Sequence, residues 1–203
     1  MKNNHYFLFI CLSGILLCGC KSWVGKKYEF NRPFNYAGKH DFLNKLHQRN
    51  IDSNFLFVTN HSSFTPLINW LGHNNPPIYI GTFINDSVML KRSDFLKDNQ
   101  SCMGRLEQEI SQHLQLLQTN TPAALDTMTL FNNIRLYQLS SGKQRSSLYT
   151  GKPTVVMFYL DAIGTYYDDL FKDIRKVSQQ FQGEVDFLFL CCDYQTLGWL
   201  PKQ

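Results

Sequence analysis

Few side chains in this sequence are of a type that does chemistry, and they do not stand in an assembled group. Cysteines occur at Cys11, Cys18, Cys20, Cys102, Cys191 and Cys192, with no Cys-x-x-Cys spacing. Cys191 and Cys192 are neighbours. Adjacent side chains on a strand point to opposite faces, and a free thiol behaves as a small buried hydrophobe, so two inert thiols are expected. A disulfide from Cys102 to one of them is the competing expectation in an oxidising compartment. His61 lies in Asn60-His61-Ser62-Ser63, where an imidazole could act as a general base if a carboxylate oriented it. The simpler expectation is a capped helix start with Ser62 or Ser63 as N-cap. His40, His47, His61, His73 and His113 pair with no His or Cys at a zinc-site spacing, so neither a metal nor another cofactor is expected. No Gly-x-Ser-x-Gly elbow occurs. Asp168 and Asp169 suit a helix N-terminus, and Asp161 alone makes no acid/base pair. No catalytic residue is assigned on these grounds.

The N-terminus carries a different kind of chemistry. Lys2 precedes an apolar run, Tyr6 to Leu17, that is shorter than the roughly 20 residues a spanning helix needs. A basic start, a short apolar stretch and a small-residue exit describe an export signal. The exit, Leu17-Cys18-Gly19-Cys20, resembles the lipobox of bacterial lipoproteins. The resemblance implies diacylglycerol on the Cys20 thiol, cleavage before Cys20 and acylation of the new amine. One acyl chain holds a membrane marginally and two or three hold it stably, at about 0.8 kcal/mol per buried methylene. The implied place is the cell envelope, with the body in the periplasm. Lys21, in the position where Asp would favour the inner membrane, tips the expectation to the outer one.

Composition narrows the body. Apolar content of 43% and aromatic content of 14% suffice for a packed core. The net charge is +4, and no Lys/Arg run reaches five residues, so nucleic acid is excluded as a partner. The expected organisation is a signal peptide over 1–19, a lipidated tether over 20–40, an α/β region over 41–150 and a further α/β segment over 151–203.

Periodicity supplies the elements. Asp41 to Arg49 reads as a short helix with Phe42, Leu43 and Leu46 inward. Phe55 to Thr59 and Ile78 to Ile84 read as strands on either side of a helical stretch, Leu67 to Leu71, suggesting a small βαβ unit. Residues 85–101 read as loop. Leu106, Ile110, Leu114 and Leu117 put an amphipathic helix over Met103 to Gln118. Thr121-Pro122 reads as the start of another helix running to about Leu139, and Ser140 to Gly151 as a linker. Beyond it come a strand (Thr154 to Leu160), a helix with Leu170, Ile174, Val177 and Phe181 at steps of four, three and four, and a strand (Val185 to Leu190).

The segment from Gly151 to Asp193 resembles the opening half of the thioredoxin family: a Gly-Lys-Pro lead-in, a strand ending in the aromatic pair Phe158 and Tyr159, a loop opening a helix, and an acidic strand end at Asp193. The resemblance implies a thioredoxin-like α/β core with extra helices. The family's two redox cysteines fall on Ile163 and Tyr166, with Gly164 and Thr165 between, so the attacking and resolving thiols are both missing. The chain also ends before the family's cis-proline strand and final hairpin, leaving the sheet incomplete unless the strands near 55–59 and 78–84 complete it. FLFVTNHSSFTPLINWL and VMFYLDAIGTYYDDLFKDI share a strand-loop-helix rhythm, as a degenerate repeat would. His61 with its neighbours is similar to the opening of the Asn-His-x-Ser-x-x-Asp motif of glycerol-phosphate acyltransferases, with Pro66 at the place of the Asp. The functional expectation is a non-catalytic structural or assembly component of a cell-envelope complex, contacting the bilayer through Cys20 and other envelope proteins through its body. The alternatives are a thiol-disulfide oxidoreductase or redox chaperone using Cys102, Cys191 or Cys192, and an acyl-transfer enzyme centred on His61.

Overall fold

A computed structural model describes residues 32–74, 78–91, 103–119 and 124–200. Cys20 and Cys102 lie outside the described residues. In chain order the elements are α1 (Lys39–Gln48), β1 (Leu56–Thr59), α2 (His61–Asn74), β2 (Tyr79–Phe83), β3 (Val88–Leu90), α3 (Met103–Gln118), β4 (Leu125–Thr127), β5 (Leu136–Gln138), β6 (Gln144–Arg145), β7 (Thr154–Tyr159), α4 (Tyr166–Gln180) and β8 (Asp186–Cys191). Short 3-10 turns cover Ser53–Phe55, Thr129–Asn133, Asp161–Ile163 and Tyr194–Trp199. The protein is of the mixed α/β class.

The eight strands form one sheet in the order β4-β3-β2-β7-β8-β1-β5-β6. Its centre, β7-β8-β1, is parallel, and β2 and β5 flank it antiparallel. β7 and β8 run in register from Thr154 opposite Asp186 to Tyr159 opposite Cys191. Both are apolar at nearly every position because helices or turns cover both sheet faces. Val155, Met157, Phe187 and Phe189 join Phe42 and Leu46 of α1, Leu106 and Ile110 of α3, and Leu170 and Ile174 of α4 on one face. Val156, Leu188 and Leu190 join Leu67 of α2 and Met128, Phe131 and Ile134 on the other. Gly81 sits at a register shift between β2 and β7, where a Cβ would run into Met89.

Several sequence expectations are corrected here. β1 and β2 do not form a βαβ unit. Three sheet positions separate them, and β1 pairs in parallel with β8, drawn from the far end of the chain. The span read as loop over 85–101 contains β3, which pairs with both β2 and β4. The helix expected from Thr121 to Leu139 is instead β4, a 3-10 turn and β5. Met128, Phe131 and Ile134 recur in threes, and the ladders to β3 and β1 satisfy the backbone that a helix would have satisfied internally. The Ser140–Gly151 stretch holds β6, turned by Gly142 at φ 70°. Strands from 154–191 therefore lie between strands from 56–90 in one sheet, across the boundary expected at 150. Among the described residues, no helix is long and apolar enough to cross a membrane.

The central strands set the stability. Phe189 is fully buried and its ring stacks on Phe171 at 4.4 Å. Phe189→Ala is expected to cost about 3–5 kcal/mol in denaturant unfolding. Substitution at exposed Leu125 on the edge strand is expected to stay within about 0.5 kcal/mol.

Candidate functional site

The parallel strands β7 and β8 end level with each other, and two residues past each end stands an aspartate. Asp161 follows Tyr159, and Asp193 follows Cys191. The backbone N–H of Asp161 donates to both carboxylate oxygens of Asp193, at 3.2 and 3.1 Å, which ties the two strand ends together. The side chain of Asp161 is wholly buried. An isolated buried carboxylate would be prohibitively costly, so its partners matter. The Tyr159 hydroxyl donates to Oδ1 at 3.0 Å, the Tyr36 hydroxyl to Oδ2 at 2.9 Å, and Arg49 Nη1 to Oδ1 at 3.3 Å.

Arg49 closes the group. It follows the last residue of α1, and its side chain reaches the loop between β7 and α4. Nε donates to Asp168 Oδ1 at 2.7 Å, with Nη2 at the same distance, and Nη2 donates to the Gly164 carbonyl at 3.0 Å. Gly164 adopts φ 71° and ψ −145°, a conformation that side-chain-bearing residues avoid. That turn presents the carbonyl to Arg49 and starts α4. The segment before α1 seals the arrangement from outside. Phe34 and Phe42 pack within 6 Å of Trp199, at 5.8 and 5.5 Å between ring centroids, and Tyr36 meets Phe42 edge-on at 4.8 Å.

Protonation follows from this burial. Burial lifts the Asp193 carboxyl to about 7, against its contact with the Asp161 N–H and with help from the nearby Asp161 charge. Burial, then the Asp161 charge, pushes the Tyr36 hydroxyl far above its usual range, and Tyr159 is raised in the same way. Burial works against the Arg49 charge, and its anionic surroundings more than offset it, holding the guanidinium above its ordinary value.

The thiols are placed where they cannot act. Cys191 faces one core cluster and Cys192 the other, both buried and both free. Burial, and after it the Asp193 charge, raises both thiols. The Cys191 thiol donates weakly to Asp193 Oδ2 at 3.5 Å. A thiol that is inaccessible and protonated is neither nucleophile nor ligand. The positions matched to redox cysteines fall in the sealed loop. Ile163 packs partly on the core, Gly164 turns the chain, Thr165 caps α4 and Tyr166 is its first residue.

His61 is exposed and opens α2. The helix starts earlier than expected. The Asn60 carbonyl, not Ser62 or Ser63, occupies the cap position, accepting from Ser63 and Phe64 N–H at 3.1 Å each, while Asn60 Nδ2 donates to Ser62 Oγ at 2.7 Å. No carboxylate stands in a described contact with His61. Among the described residues no cluster of His, Cys, Asp or Glu could hold a metal.

The sequence reading missed Arg49 and Tyr36 as partners of Asp161, and their contacts span 112 and 125 positions. The one local sign was an aspartate just beyond each of two strands that are apolar at nearly every position. The group can bind and hold a proton at its buried carboxylates, while Asp168, 30% exposed, is held by Arg49. It works as a clamp on four separate stretches of chain.

Two outcomes follow. Arg49→Ala leaves the Asp161 charge buried without its cation and is expected to cost about 3–5 kcal/mol, while the Arg49→Met/Asp161→Asn pair recovers most of that in denaturant melts. Asp193 has a higher proton affinity folded than unfolded, so its contribution is full below about pH 4 and is lost as pH rises from about 4 to about 7. Asp193→Asn is expected to flatten the fall in unfolding free energy across that window, and an unchanged slope would contradict the assignment. No protein-family model, no curated protein and no solved structure matches this chain.

Proposed function

We propose that this chain is a lipid-anchored protein of the bacterial cell envelope, held by acylated Cys20, that acts by binding as a structural or assembly component and not by catalysis. One observation carries the non-catalytic part. The loop that opens α4, where a thioredoxin-type thiol pair would work, is clamped shut by Arg49 and Tyr36 on Asp161. Cys191 and Cys192 are buried on opposite faces of the sheet with their thiols protonated. The thioredoxin-like reading draws support from β1 and the β2–β3 pair, which extend the sheet on either side of β7 and β8 from earlier in the chain. The lipobox supports the anchor and the envelope, and Lys21 after it supports an outer-membrane address, with the body in the periplasm and other envelope proteins as partners.

Two measurements test this. In the folded protein, Cys191 and Cys192 are expected to react with a disulfide reagent no faster than global unfolding allows. A rapidly reacting thiol with depressed pKa would favour the oxidoreductase alternative. Cys20→Ser is expected to move the protein from the membrane to the soluble fraction and to remove the acyl mass from the Cys20 peptide. Membrane retention without acylation would overturn the anchor.

A further inference from the structure

At the end of the parallel strands opposite Asp161 lies a cleft of about 980 Å³, within the size range of small-ligand sites. One rim is the stretch 50–55 that leads from α1 into β1, and the other is the C-terminal half of α4. The lining residues Ile51, Val185 and Phe187 are buried, and Phe55 is partly so.

The fixed charges around the cleft balance in number, two arginines (Arg145 and Arg175) against two aspartates (Asp52 and Asp186). Arg145 Nη2 pairs with Asp186 at 3.3 Å and donates to the Leu148 carbonyl at 2.7 Å, and its guanidinium lies 5.6 Å from the centre of the Phe57 ring. Asp186 also accepts from Thr150 Oγ1 at 2.6 Å. Arg175 donates to the Asn50 carbonyl at 2.7 Å, and Asp52 accepts from the Asn54 N–H at 2.9 Å. A phosphorylated or carboxylated ligand would meet Asp52 and Asp186 as well as the two arginines, in a lining with no net formal charge when His47 is neutral.

Neutral polar groups line the rest. The amides of Asn50, Gln179 and Gln182 are exposed at the rims, and the hydroxyls of Ser53 and Ser178 line the cleft between them, the Ser178 hydroxyl donating to the Arg175 carbonyl at 3.0 Å. Each amide donates and accepts at once, as a sugar hydroxyl does, whereas a charged group does one or the other. An extended peptide would need an open strand edge, but β1 and β8 are paired on both sides, and the edge strand β6, which brings Arg145 to the cleft, has only 2 residues. Bifunctional amides near the partly exposed Phe55 match the hydroxyl edges and one C–H face of a pyranose ring.

We propose that this cleft is a binding site for a neutral saccharide, read by Asn50, Gln179 and Gln182 beside Phe55. The site stands apart from the anchoring proposal, since it makes no use of Cys20.

The test uses the full-length chain in a sugar-free zwitterionic detergent, with saturation-transfer NMR and calorimetry. The probes are chitotetraose and maltotetraose, with tetraalanine as the peptide probe and inositol hexakisphosphate as the anion probe. At least one sugar is expected to bind, and Gln179→Ala/Gln182→Ala to weaken it about tenfold, as two lost neutral hydrogen bonds would. Ser178→Trp, which fills the cleft, is expected to abolish binding. A circular-dichroism melt checks each variant, and if one fails to fold the other decides. Should both fail, a nitroxide attached to Gln182→Cys decides, since sugar bound in the cleft is expected to show enhanced proton relaxation and unbound sugar none. Silence from both sugars, binding that neither variant alters, or tighter binding of tetraalanine or the hexakisphosphate would overturn the proposal.

Discussion

A carboxylate with no solvent exposure governs how the chain closes. Asp161 is wholly buried, and two hydroxyls and a guanidinium reach its carboxylate oxygens. Those donors come from three places: the segment before α1, the end of α1, and the last residue of β7. The group therefore joins the beginning of the described chain to its final βαβ segment. Removing one partner leaves a buried charge, which is far costlier than replacing the whole network with apolar groups. The clamp therefore secures one arrangement of α1 over the sheet more than it adds to total stability.

The clamp works because the sheet brings distant strands together. β7 and β8 are the interior of the sheet and are covered on both faces, so their side chains must be apolar throughout and their polar residues are displaced to the ends. Asp161 and Asp193 stand at these ends. The alternation of faces also explains the fate of the two cysteines, since Cys191 and Cys192 follow the strand into opposite cores. A vicinal thiol pair that looks reactive in one dimension is separated by the sheet in three.

How far the sequence could be read depended on the range of the forces involved. Met103 to Gln118 is a helix over those very residues, because Leu106 and Ile110 repeat with the helical period and are buried together. β7, α4 and β8 were legible for the same reason: long elements leave a period. β3, β4 and β6 have three residues or two, too few to show alternation, and ladder hydrogen bonds to remote strands define them. The stretch Leu125 to Leu139 looked helical because inward residues spaced by threes suit a 3-10 turn as well as an α-helix. The candidate site was least legible. Asp161 and Asp193 could be noticed beyond apolar strands, but nothing local ties Arg49 or Tyr36 to them.

The clamp and the cleft share a stretch of backbone. Arg49 reaches Asp161 and Gly164 at one end of the strands, while the next residue, Asn50, has φ 58° and accepts from Arg175 of α4 through its carbonyl. A left-handed residue other than glycine costs energy and persists where its surroundings over-determine it. Here the determinants are Arg49 on one side and the buried Ile51 on the other. The rim 50–55 then descends to the start of β1, so the position of Asn50 and Ser53 at the cleft is set by contacts made at the opposite sheet end. Rigidity of that rim is what a binding surface requires, since side chains held in place before contact lose less entropy on binding. A buried charge network that would be wasteful as a source of stability thus makes physical sense as a fixture, one that pins the end of α1 to the start of α4 so that the rim 50–55 keeps a constant distance from the other end of α4.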